Sequence, residues 1–207
     1  MKILIVDDHG VVREGLARLL AVHFEVQILE APDVESGLDV YRREKPSLVI
    51  LDLNLDGPGG LEMLRHLLAF DAAAKVVVFS MHHEPVYATR ALRAGASGYV
   101  SKSAPVEELL TAVRTVEAGG KYVDRDIASK IAINPVTSED PLKALTLREI
   151  EILRLLGQGR SMTQIAENLG IAYKTVANIC TTMKVKLGLD RTADLIRLAI
   201  ETLKPGI

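Results

Sequence analysis

Short Val/Ile/Leu runs near 2–6, 25–30, 48–51, 75–79 and 97–100 alternate with amphipathic stretches near 10–22, 33–44, 59–69, 84–94 and 105–118. A run that is apolar at every position, rather than at every second one, fits a strand covered on both faces. Stretches whose apolar residues recur every three to four positions fit the helices that do the covering. Alternation of the two predicts a doubly wound, parallel, five-stranded α/β sheet. Pro105 followed by Val106-Glu107-Glu108 makes a favourable first turn for the fifth helix, since proline tolerates that place and acids complement the helix dipole.

The pattern changes after Gly119-Gly120. From there to Pro141 periodicity is weak and turn signals are dense (Asn134-Pro135, Ser138-Glu139-Asp140-Pro141), which predicts a linker over 120–141 with room for a short helix at 125–132. From Leu145 onward the spacing is entirely helical. Thr146 with Glu149 three residues on is a capping box, and Ile150, Leu153 and Leu156 follow on one face. Further helices are expected over 162–169, from about Tyr173 to Leu187, and from Thr192. The expected domains are therefore an α/β domain at 1–119, the linker, and a small all-α, four-helix domain at 142–207.

Chemistry collects at the ends of the predicted strands. Asp7 and Asp8 follow the first, Asp52 the third, Ser80 closes the fourth, and Lys102 comes just after the fifth. The carboxyl edge of a parallel sheet is where such folds bind ligands. Each acid taken singly also fits a solvated loop or a helix cap, and Asp8 could cap the helix starting near Gly10. Together they supply the parts of phosphoryl transfer to a carboxylate. Asp52 would be the nucleophile, Asp8 and Asp52, helped by Asp7 through water and with the Asn54 backbone carbonyl as a further ligand, would hold Mg2+, Lys102 would neutralise the acyl phosphate, and Ser80 would bond one of its oxygens. Tyr99 is by residue type a core position. The histidines show no ligand spacing with cysteine, although His82, two residues past Ser80, is placed to tune water access. Gly57-Pro58-Gly59-Gly60 reads as a turn and not as a phosphate-binding fingerprint.

Composition narrows the setting. The 207 residues are 48% hydrophobic, enough for buried cores. A single cysteine excludes an internal disulfide, and there is neither a leader pattern nor an apolar stretch of the roughly 20 residues a membrane span needs. A soluble, cytoplasmic protein is expected, without membrane association. Residues 1–120 hold 12 basic against 17 acidic residues, and residues 121–207 hold 13 against 10, so the two halves are expected to meet different partners.

The segments Ile3-Leu4-Ile5-Val6-Asp7-Asp8-His9, Leu51-Asp52-Leu53, Ser80-Met81-His82 and Ala94 through Lys102 resemble the receiver domain of two-component response regulators. The resemblance implies that Asp52 accepts phosphate from a histidine kinase and that Ser80 and Tyr99 reorient when it does. It also implies that the protein is not an enzyme beyond assisting its own phosphorylation and dephosphorylation. One departure is Asp56, standing where the family usually has proline, with Pro58 shifted two residues on.

In the tail, Ile165, Ala166, Leu169, Ile171 and Val176 space like two helices across a sharp turn, the helix-turn-helix pattern. Leu145 through Glu149, Lys174-Thr175-Val176 and Lys186-Leu187-Gly188-Leu189 resemble the LuxR-type output domain. With the receiver this makes the NarL/FixJ class, which implies double-stranded DNA as partner and a homodimer on activation. Val176, Cys180, Met183 and Leu187 mark the buried face of the recognition helix. Arg160, Lys174, Thr175, Asn178, Thr181, Lys184 and Lys186 are the candidate DNA contacts. Ala177 and Ile179 replace the basic residue and the histidine common in the family. That depletion keeps open a phosphorylation-gated protein-interaction module whose tail has lost DNA recognition. An aspartyl phosphohydrolase is a third possibility, disfavoured because Asn54 stands where its second acid belongs.

Overall fold

A computed structural model describes residues 1–55, 59–133 and 141–203, apart from the Pro141 side chain. The chain divides into two compact units, 1–136 and 137–207. The first begins β1 (Lys2–Val6), α1 (Gly10–His23), β2 (Gln27–Ala31), α2 (Val34–Glu44), β3 (Leu48–Leu51) and α3 (Gly60–Phe70). It continues β4 (Val76–Ser80), α4 (Pro85–Arg93), β5 (Gly98–Ser101), α5 (Val106–Glu117), β6 (Tyr122–Val123) and α6 (Arg125–Ile133). The strands form one parallel sheet in the order β2-β1-β3-β4-β5-β6.

β1, β3 and β5 are buried along nearly their whole length because helices cover both faces. On one face Ile3, Ile5, Leu48, Ile50, Val77 and Val100 pack with Leu16 and Leu20 of α1 and Leu109, Leu110 and Val113 of α5. Register brings the strand ends together: Val6 lies opposite Leu51, and Ser80 opposite Ser101. Strand order reverses between β1 and β3, so the crevice beyond their carboxyl ends is the topological switch point of the sheet.

One expectation is corrected. The sheet has six strands, not five, because Tyr122–Val123 adds to the edge beside β5. A two-residue strand presents too little periodicity to be read from sequence, and pairing with an existing edge is what forms it. The segment expected as linker thus carries β6 and, at Arg125–Ile133, the short helix expected there, whose Ile127 is fully buried. The turn signals at 134–140, together with Asp56 and Pro58, lie outside the described residues.

The second unit starts with a 3-10 turn at Pro141–Ala144 and continues α7 (Leu147–Gly157), α8 (Met162–Asn168), α9 (Tyr173–Leu187) and α10 (Thr192–Thr202). α7 is the central helix, with Ile150, Ile152, Leu153, Leu155 and Leu156 all buried. Capping boxes start α7 (Thr146 with Glu149) and α8 (Ser161 with Gln164). Among the described residues no helix is long and apolar enough to cross a membrane.

Candidate functional site

The sheet delivers Asp7, Asp8, Asp52 and Lys102 to one place. The Asp52 amide donates to the Val6 carbonyl (2.9 Å), which fixes the nucleophile candidate beside the end of β1. Gly60 at the start of α3 packs so tightly on this loop that a Cβ there would overlap the Asp52 carbonyl oxygen. The glycine run is therefore partly a close-approach device, where the sequence indicated only a turn.

Lys102 Nζ donates to Asp52 Oδ2 (2.6 Å) and to Asp7 Oδ2 (2.6 Å), and all three side chains are almost fully buried. The Asn54 amide donates to the other Asp52 oxygen (3.2 Å), and the His9 amide to Asp7 Oδ1 (2.8 Å). Burial pushes the Asp52 carboxyl above its ordinary value, against the pull of the Lys102 ammonium and the Asn54 amide and with a push from Asp7. Burial pulls Lys102 down, but the attraction and hydrogen bonds of Asp52 and Asp7 outweigh it, so its ammonium is held protonated.

Asp7, Asp8, His9 and Asp52 each offer a ligand atom, and these atoms lie within 4.8 Å of one another. Among the described residues three carboxylates meet in this crevice around the one Lys102 ammonium. Asp8 Oδ1 is buried with no hydrogen bond of proper geometry, although His9 Nδ1 stands 2.6 Å away. A crowded set of carboxylate oxygens short of donors fits a hard divalent cation. Helix capping does not account for Asp8, because α1 is capped at His9 without a side-chain bond.

Ser80 is fully buried at the end of β4, and its Oγ accepts from the His82 amide at a long 3.4 Å. Tyr99 is also fully buried and donates its hydroxyl to the His82 carbonyl (2.8 Å). Burial holds the Tyr99 hydroxyl far above its ordinary value, with a hydrogen bond to Ser80 pulling the other way. His82 itself is the residue the sequence under-read. It is 4% exposed, its Nε2 lies 2.7 Å from Asn54 Oδ1, and its ring stacks on Tyr87 at 3.8 Å. A histidine two residues past a strand end carries no burial signal in sequence; α4 swinging Tyr87 over it decides the matter.

In the second unit, α8 and α9 meet across Gly170-Ile171, and Arg148 of α7 bonds Glu151 (2.7 Å) and the Leu169 carbonyl (3.2 Å) to hold that corner. Val176, Cys180 and Met183 face the core, and Leu187 is half-buried. Lys174, Thr175, Asn178 and Thr181 are exposed on the opposite side, as is Arg160 ahead of α8. Thr181 Oγ1 donates to the Ala177 carbonyl (3.0 Å), and Lys184 Nζ to the Asp190 carbonyl (3.4 Å). Lys186, expected at a phosphate, grips both oxygens of the buried Glu149 at 2.8 Å each, with about a third of its side chain exposed. Glu149 needs a cation because the capping box has drawn it out of water. Burial pushes the Cys180 thiol up, which leaves it a packing residue.

Residues 3–114 match the response regulator receiver domain, and residues 143–199 match bacterial regulatory proteins of the luxR family. The chain is a response regulator. It belongs to the class that joins a receiver to a LuxR-type DNA-binding domain, which is a family of regulators and not of classical enzymes. This response regulator is 38% identical over 202 residues to the methanol utilization control regulatory protein MoxX of Paracoccus denitrificans, covering 95% of this chain and 89% of that protein. It is 39% identical over 206 residues to the transcriptional activator protein ExaE of Pseudomonas putida, covering 97% and 96%. Among solved structures, a LuxR-family two-component response regulator from Aurantimonas sp. SI85-9A1 is 41% identical, with a TM-score of 0.63. It covers 66% of this chain and 98% of that one.

Proposed function

We propose that this response regulator is switched by phosphorylation of Asp52 from a histidine kinase, with Mg2+ as cofactor. The observation that carries the proposal is the convergence of Asp7, Asp8 and Lys102 on the Asp52 carboxylate. An Asp52 oxygen attacks the phosphorus of a phosphohistidine, the P–N bond breaks, and the departing imidazole keeps the electron pair and takes a proton. Asp7, Asp8, Asp52 and the Asn54 carbonyl would hold Mg2+, which supplies charge neutralisation for the transferred oxygens. Lys102 loses one carboxylate partner as Asp52 is phosphorylated and pairs with the phosphoryl oxygens in its place. Ser80 then bonds a phosphoryl oxygen, and Tyr99 follows it. The protein's catalysis is confined to its own phosphorylation and dephosphorylation, with the His82–Asn54 pair governing the approach of water.

The phosphoacceptor domain is taken as 1–119, with β6 and α6 as its extension toward the linker, and the DNA-binding domain as 142–207. Phosphorylation shifts a pre-existing equilibrium toward a homodimer that binds paired half-sites in double-stranded DNA, in the cytoplasm. Arg160, Lys174 and Lys184 meet phosphates, while Thr175, Asn178 and Thr181 face the bases. Asn178 has the geometry to read adenine. Lys186 supports the helix from behind.

Intact-mass measurement after incubation with acetyl phosphate and Mg2+ tests the site. Wild type is expected to gain one phosphoryl group and Asp52→Asn none; equal labelling of both removes Asp52 from the mechanism.

A further inference from the structure

We infer that Asp124 is a positioning residue that ties the loop bearing Lys102 to helix α6, so that α6 senses the state of Asp52. The inference rests on the phosphoacceptor role proposed for Asp52. Asp124 follows β6 and is 1% exposed. Its two carboxylate oxygens are used in different directions. Oδ2 accepts from the Ser101 amide (2.8 Å), and Oδ1 accepts from the Ile127 amide (3.0 Å) in the first turn of α6. Its backbone is equally committed, donating to the Tyr99 carbonyl (3.0 Å) and accepting from the Ala128 amide (2.9 Å).

Neither half of this arrangement explains the other. An N-cap needs one oxygen, and serine, threonine or asparagine would serve. Sheet pairing of Tyr99 with Val123 needs no side chain at all. The carboxylate is required only if one group must satisfy the end of β5 and the start of α6 together, since a buried charge has to be bonded at both oxygens. Ser101 immediately precedes Lys102, whose ammonium sits on Asp52 and Asp7. A shift of Lys102 toward an acyl phosphate therefore moves the amide that Asp124 holds.

A second route reaches the same helix. The ring of His82, two residues past Ser80, stacks on Tyr87 of α4, and α4 packs against α6. The Ser80 side and the Lys102 side of the acidic site thus both end on α6, the last described element before the chain continues to the second unit. A coupling residue is defined by the free energy it shares between two sites, and this can be measured.

Asp124→Ser separates the two roles, because its single hydroxyl still caps α6 but leaves the Ser101 amide without an acceptor. Hydrogen exchange of the 127–130 amides is followed in the full chain, with and without acetyl phosphate and Mg2+, while intact mass reports labelling. In wild type, labelling is expected to change α6 exchange by about tenfold or more, the scale of one hydrogen bond to a charged group, and in the labelled variant by no more than about twofold. A folded variant that no longer labels shows Lys102 displaced, which is the positioning role in its strongest form. Equal responses in both proteins overturn the inference, as does a labelled wild type whose α6 is unmoved. An unlabelled wild type defeats the phosphoacceptor role itself, and the coupling with it. Should Asp124→Ser fail to fold, Asp124→Asn is measured in the same way, since it keeps one acceptor oxygen and sets an amide N–H against the other donor.

Discussion

Single side chains in this protein are chosen for what they must neutralise. Among the described residues Lys102 is the only ammonium touching the buried carboxylates of Asp7 and Asp52, and it stays charged because their attraction outweighs the cost of its own burial. Glu108 shows the same economy at the other edge of the sheet. Its Oε2 accepts from the Tyr122 hydroxyl (2.6 Å), and its carboxylate lies 3.5 Å from Arg125. Partial burial and that hydrogen bond push the Tyr122 hydroxyl up to about 12. A tyrosine raised in the folded state contributes stability that is fully present below its unfolded value of about 10 and is lost as pH rises through the folded value. The difference in alkaline absorbance titration between wild type and Tyr122→Phe is therefore expected to centre near pH 12. A difference curve centred near the ordinary tyrosine value of about 10 would mean the Glu108 bond is not formed in solution.

Elements are positioned by contacts that leave little mark on periodicity. α3 reads as an amphipathic helix, but its distance from the Asp52 loop is set by Gly60, where no side chain fits. Gly60→Ala is expected to cost about 1–3 kcal/mol in urea unfolding, as overpacking does, and to slow Asp52 labelling because the loop must shift. Unchanged stability and labelling would show that α3 can retreat freely. β6 and α6 make the same point from the other side. The sequence from Gly120 onward has turn signals and weak periodicity, yet the free edge of β5 recruits Tyr122–Val123, and Asp124 then starts a helix whose Ile127 is buried. In the tail, by contrast, the cap of α7 is legible, since Thr146-x-x-Glu149 gives both partners of the box at fixed spacing.

Across the whole molecule, the surplus of basic residues in the second half overstates what can meet DNA. Lys186 pairs with Glu149 and Lys184 leans on the Asp190 carbonyl, whereas Arg160 and Lys174 are exposed cations near the recognition helix. With Arg160, Lys174 and Lys184 each meeting a phosphate, about three are neutralised per protomer, and the log–log salt slope of binding should be shallow, about −3 per protomer. Lys174→Ala is expected to reduce its magnitude by about 1, whereas Lys186→Ala should lower thermal stability and leave the slope unchanged. A Lys186→Ala slope that falls as far as Lys174→Ala's would return Lys186 to the DNA contacts. The sequence by itself determined the alternation of strands and helices, the acids at strand ends, the helix-turn-helix spacing and the Thr146–Glu149 capping box. All of these are local patterns, fixed by side-chain periodicity or by neighbours a few residues apart. Tertiary structure alone decided the sixth strand, the burial of His82 under Tyr87, the pairing of Lys186 with Glu149 and the hydrogen bond from the Ser101 amide to Asp124. Each of these joins residues distant in sequence or depends on which face a neighbour covers, so no local pattern records it.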